Sequence, residues 1–94
     1  MIKHIVTWKV KEENKADNMK KMKEMLESLP SKIGVIKSLQ VGINENGGEY
    51  DLILITEFES FEKLAEYDTH PEHQKVRAFI KGVVESRISV DFTE

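Results

Sequence analysis

No cysteine occurs in the 94 residues, which excludes a disulfide framework, a thiolate metal site and a cysteine nucleophile. That lack fits a reducing cytosol. No apolar run reaches the length of a membrane span either: lysines punctuate the amino end every few residues, so neither a signal peptide nor a membrane partner is expected, and the chain reads as cytoplasmic. There is no basic stripe. Lys and Arg number 14 against 17 Asp and Glu, a formal net charge of -3, and the two signs are interleaved. The electrostatic footprint of a nucleic-acid binder is therefore missing, and no nucleic acid is expected as partner. Glycine-rich phosphate loops, GxSxG elbows and kinase signatures are absent too.

What is present is an ordinary folding composition, 39% hydrophobic and 33% charged. A chain of this length hides only about 60% of its unfolded surface, too little for two cores, so residues 1–94 form one domain that gains from association. Periodicity then divides it. Ile2, His4, Val6, Trp8 and Val10 alternate with Lys3, Ile5, Thr7 and Lys9, the pattern of a strand with one apolar face. Asn14 is placed to cap a helix in which Ala16, Met19, Met22, Met25, Leu26 and Leu29 share one side, and Pro30 stops it. Period two resumes from Val35 to Ile43. The segment Asn44–Gly48 supplies a hairpin connection, and a third strand follows from Glu49 to Phe58.

Ser60 can cap a helix carrying Phe61, Leu64, Ala65 and Tyr67. Residues before proline avoid the helical region, so His70 interrupts it and Pro71 opens another helix with Val76, Phe79, Ile80, Val83 and Val84 on its apolar stripe. The last strand covers about Arg87 to Phe92. Strand, helix, strand, strand, broken helix, strand predicts an α+β, ferredoxin-like, four-stranded antiparallel sheet (βαββαβ) with helices on one face. The opposite face would still carry Ile5, Ile36, Ile53 and Ile55. A bare apolar sheet face on so small a domain predicts a homodimer that packs two such faces together.

The stretch Tyr67–Val76, YDTHPEHQKV, concentrates the chemistry: two of the three histidines flank a proline, with a tyrosine upstream. His73 falls about 60° from Val76 on the helical wheel and so points toward the sheet, where His4 also faces inward. Desolvation and the positive end of the helix both disfavour imidazolium, which makes His73 a candidate general base. A core histidine that spends its nitrogens on backbone partners would show the same pattern, and His70, before the proline, reads more simply as a helix cap. His70 and His73 around Glu72 give only a weak zinc signal, so no metal is expected. Trp8 and the methionines read more simply as core filler.

The strings MIKHIVTWKVK, VGINENGGEYDLILITEFES and LAEYDTHPEHQKV resemble the stress-responsive A/B barrel domain, a branch of the dimeric alpha-beta barrel superfamily, over essentially the whole chain. The resemblance implies a homodimer whose two sheets form a barrel. A plant member, olivetolic acid cyclase, is similar over this region. By that likeness Tyr67 and His73 would be catalytic, the histidine as base on an acidic carbon and the tyrosine holding a carbonyl oxygen, with His4 lining the pocket. Val6, Trp8, Met22 and Val76 complete the expected ligand wall. The methionines Met19, Met22 and Met25 stand where the cyclase carries aromatics, so a long polyketide is not implied.

The first functional expectation is a small organic molecule bound between sheet and helices, with no assigned reaction. The alternative is a cofactor-independent lyase, cyclase or isomerase using the His-Tyr pair beside a carbonyl. A purely structural oligomer or a monooxygenase-like relative is third.

Overall fold

The computed structural model describes Met1–Glu94. Along the chain run β1 (Ile2–Val10), α1 (Lys15–Glu27), a 3-10 turn (Leu29–Ser31), β2 (Ser38–Ile43), β3 (Leu52–Phe58), α2 (Phe61–Thr69), α3 (Pro71–Val83) and β4 (Val84–Thr93). The strands form one sheet in the order β2-β3-β1-β4, every neighbouring pair antiparallel. This is the ferredoxin-like α+β architecture that the alternating periodicities dictate.

Register explains which side is buried. Val6 pairs with Leu54 and Trp8 with Leu52, and these side chains share the helix-facing surface with Val10 and Phe58, all at most 4% exposed. Met22 and Leu26 of α1, Leu29, Tyr67 of α2 and Val76 and Ile80 of α3 close over them as one core. Thr56 is the one buried polar residue, and its hydroxyl donates to the His4 carbonyl at 3.2 Å. The start of β3 is pinned by Asp51, whose carboxylate accepts from the Val10 amide at 2.7 Å and pairs with Lys15 at 3.1 Å.

Several local expectations are corrected. Asn14 precedes α1 but makes no side-chain cap; it sits in the left-handed region (φ 55°), and only its carbonyl joins the helix by accepting from the Asn18 amide. The helix ends at Glu27, and Pro30 lies inside the short 3-10 turn. Ala16 is exposed. Ile36, expected on the outer sheet face, is only 8% exposed and belongs to the core, because β2 does not begin until Ser38 and the preceding bend folds Ile36 inward. Val84, expected on the third helix, is the first residue of β4, and β3 starts at Leu52, leaving Tyr50 outside it.

The outer face is as apolar as the alternation requires. Ile5 lies opposite both Ile55 and Val90, and Thr7 opposite both Ile53 and Ile88, so these side chains project together from the surface that no helix covers. Ile88 is 50% exposed, Val90 55% and Phe92 40%.

Candidate functional site

The site is built where the two carboxyl-terminal helices meet. Ser60 starts α2, its hydroxyl accepting from the Lys63 amide at 3.2 Å. His70 ends α2 in an extended conformation (φ -64°, ψ 135°), as a residue before proline should, and Pro71 occupies the first turn of α3. The Glu72 amide donates to His70 Nδ1 at 3.1 Å. His70 is therefore the cap that orients α3.

This break places Tyr67, in the last turn of α2, against His73, in the first turn of α3: ring centroids are 4.2 Å apart with planes inclined by 31°. Tyr67 is 1% exposed. Its ring also packs on Phe58 at 5.1 Å and meets His4 edge-on at 6.2 Å. His73 Nδ1 lies 3.0 Å from the Asp68 carbonyl, which also accepts from the Gln74 side chain. A carbonyl only accepts, so Nδ1 carries the proton and neutral His73 keeps its lone pair on Nε2. Neither that nitrogen nor the Tyr67 hydroxyl has a hydrogen-bond partner in the protein, yet no buried side-chain nitrogen or oxygen is left without one. Both atoms must therefore reach an open space.

The space is a cavity of about 420 Å³ between the helix-facing side of the sheet and α3, bounded by His4, Val6, Trp8, Tyr67, His73 and Val76. Its volume falls in the range of about 300–1,000 Å³ typical of small-molecule sites. Six of the seven expected site residues are brought together. Met22 is the exception: it is 0% exposed in the core and forms no part of the wall, where Leu26, one helical turn along, stands instead. Three cations of the wall, Arg77, Lys81 and Arg87, escaped the sequence reading, although Arg77 and Lys81 follow His73 at the four-residue spacing that marks one helical side.

Electrostatics separates the two central residues from ordinary surface groups. Burial pushes the Tyr67 phenol far above its usual range, the Asp68 charge adds to this, and the Arg87 guanidinium partly opposes it. Tyr67 is thus a neutral hydrogen-bond donor at any working pH. Burial is also the main cause holding His73 below the ordinary histidine value, with Arg77 and His4 assisting, while the Asp68 carbonyl and carboxylate pull the other way. On the strand side, His4 Nδ1 lies 2.5 Å from the Asp91 carboxylate of β4. No group of three or more His, Cys, Asp or Glu side chains is arranged to hold a metal ion.

Solved structures of other proteins share this fold. A dimeric protein of ferredoxin-like fold from Bacteroides fragilis is 38% identical, with a TM-score of 0.91 over 97% of this chain and 93% of the other. A dimeric ferredoxin-like protein from Thermobifida fusca is 23% identical, with a TM-score of 0.89 over 99% of this chain and 90% of its own. The hydroxynitrile lyase of Passiflora edulis shares the fold at 11% identity, with a TM-score of 0.86 over 97% of this chain and 90% of that one. No functionally curated protein matches the chain. The profile of the stress-responsive A/B barrel domain matches residues 2–94, and the chain therefore belongs to that family.

Proposed function

We propose that the protein is a homodimer, joined through the outer sheet face, that binds a small organic molecule in the cavity between sheet and helices. One observation carries the binding reading. The Tyr67 hydroxyl and His73 Nε2 lie on touching rings, lack protein partners and open onto the same cavity, whose remaining wall combines apolar side chains with charged ones. A structural tyrosine–histidine pair would satisfy those atoms internally. The dimer is supported by the exposed row Ile88, Val90 and Phe92 and by the dimeric state of the Bacteroides fragilis relative.

A small-molecule screen by thermal shift on the wild type and on His73→Ala tests this. A ligand at a hundred times its Kd stabilises the native state by about 2.7 kcal/mol, so hits stand out clearly. The histidine change should abolish that stabilisation while the dimer persists. An unchanged ligand response in His73→Ala refutes a binding role for the residue.

A second reading is favoured by the anchored Nδ1–H: cofactor-independent proton transfer next to a carbonyl, in a lyase, cyclase or isomerase. His73 Nε2 takes a proton from the carbon beside the carbonyl, the electron pair moves onto the carbonyl oxygen, and the Tyr67 hydroxyl donates to that oxygen as charge develops. Solvent-deuterium exchange at that carbon of a bound ketone, present in the wild type and lost in His73→Ala, distinguishes catalysis from binding alone.

A further inference from the structure

Resting on the binding reading above, we infer that the cavity selects small organic acids, holding the carboxylate at a cationic rim formed by Arg87 and Lys81 and a ketone oxygen on the Tyr67 hydroxyl, beside His73.

The rim follows from register and helical spacing. Arg87 pairs with Trp8, Ser89 with Val6 and Asp91 with His4, so β4 presents a polar row on the same side of the sheet where β1 presents its buried apolar one. Arg87 therefore projects into the cavity wall, and its charge is felt at the Tyr67 hydroxyl. From the other side α3 contributes His73, Arg77 and Lys81, successive steps of four residues and about 6 Å each along one side of the helix.

These cations differ in commitment. Arg77 faces the Asp68 carboxylate at 3.6 Å, and the other wall carboxylate, Glu85, is directed to Lys9 at 3.7 Å. Lys81 forms no ion pair, and Arg87 has only a long hydrogen bond, 3.4 Å, to the Ser89 hydroxyl. Two cations thus stand unmatched in the wall of a protein whose overall charge is -3. A guanidinium fork and an ammonium lining one cavity suit a carboxylate, which accepts two parallel hydrogen bonds from arginine. A phosphate-bearing ligand would need more: no glycine-rich nest of backbone amides lies in this wall. Val6, Val76 and Ile80 in the same wall call for a hydrocarbon body.

The test uses 4-oxo-4-phenylbutanoate and its amide, which match in size and in the ketone but differ in charge. Binding is followed by NMR at Tyr67 and His73 and by calorimetry, with wild type, Arg87→Gln and Lys81→Gln. Both substitutions fall on exposed positions, so folding is retained. The acid should bind the wild type about tenfold more tightly than the amide, the worth of one charge-assisted hydrogen bond, and either substitution should bring it toward the amide's affinity. Equal affinities of acid and amide, with both shifting the Tyr67 and His73 signals, overturn the acid preference and leave the binding reading standing. If neither probe moves those signals at millimolar concentration, the cavity is not a site for this class, and the inference falls together with the reading beneath it.

Discussion

The imidazole of His73 rests on the phenol ring of Tyr67, centroids 4.2 Å apart, while the working atoms of both, Nε2 and the hydroxyl, make no bond to the protein. Rings hold the pair together and leave its polar ends free. Packing and function are thus carried by different atoms of one residue, and substitutions can separate them.

Tyr67→Phe removes only the hydroxyl. Because that oxygen has no protein partner, stability should change by less than about 0.5 kcal/mol, while affinity for a carbonyl ligand falls roughly five- to tenfold. Tyr67→Ala also deletes the buried ring that packs on Phe58 and should cost about 3–5 kcal/mol, as loss of a large core aromatic does. Urea denaturation beside ligand titration reads both effects, and a large stability loss in the phenylalanine variant would show that the hydroxyl is structural.

His73 should make stability depend on pH in a definite direction. Its native pKa is held below the unfolded value of 6.5, chiefly by burial, so the unfolded chain takes up the proton more readily. Stability from this group is fully present above about pH 6.5, and it is lost as pH falls through 6.5 toward the lower native value. His73→Gln should flatten that part of the profile. Chemical-denaturation midpoints for both proteins between pH 8 and 5 give the difference; parallel profiles would mean that His73 titrates normally.

His70 is expected to behave differently although it lies three residues away. Its ring accepts the Glu72 amide and caps α3, so His70→Ala should cost about 1 kcal/mol and His70→Asn, which can also cap, should recover most of it. Ligand response should survive both changes, as seen by thermal shift. Loss of binding in the asparagine variant would move His70 from the scaffold into the site.

How far the sequence discloses this arrangement can be judged from particular residues. Strict alternation in β1 identifies Val6, Trp8 and His4 as helix-facing, and the proline after His70 announces the break that brings Tyr67 to His73. Ile36 departs from the alternation because the chain bends before Ser38, where period two no longer carries direction. Met22 and Leu26 sit on the same helical stripe, and only packing decides that the first is sealed and the second reaches the cavity. Arg87 escaped because it reads as an ordinary exposed strand residue until the β1–β4 register sets it over Trp8.

The outer sheet face gives the most direct test of assembly. Val90 is 55% exposed in the single subunit and lies opposite Ile5, near Ile88 and Phe92. On a face that stays wet, Val90→Asp is a surface change worth no more than about 0.5 kcal/mol. If two such faces pack together, the same carboxylate is buried without a partner and costs several kcal/mol per interface. Light scattering after gel filtration should therefore find a wild-type dimer, a Val90→Asp monomer of lowered stability, and a dimer for Lys20→Asp, which places the same charge on the exposed side of α1. A Val90→Asp protein that remains dimeric at nanomolar concentration would mean that some other surface joins the subunits, leaving the apolar row of β4 without the role assigned to it.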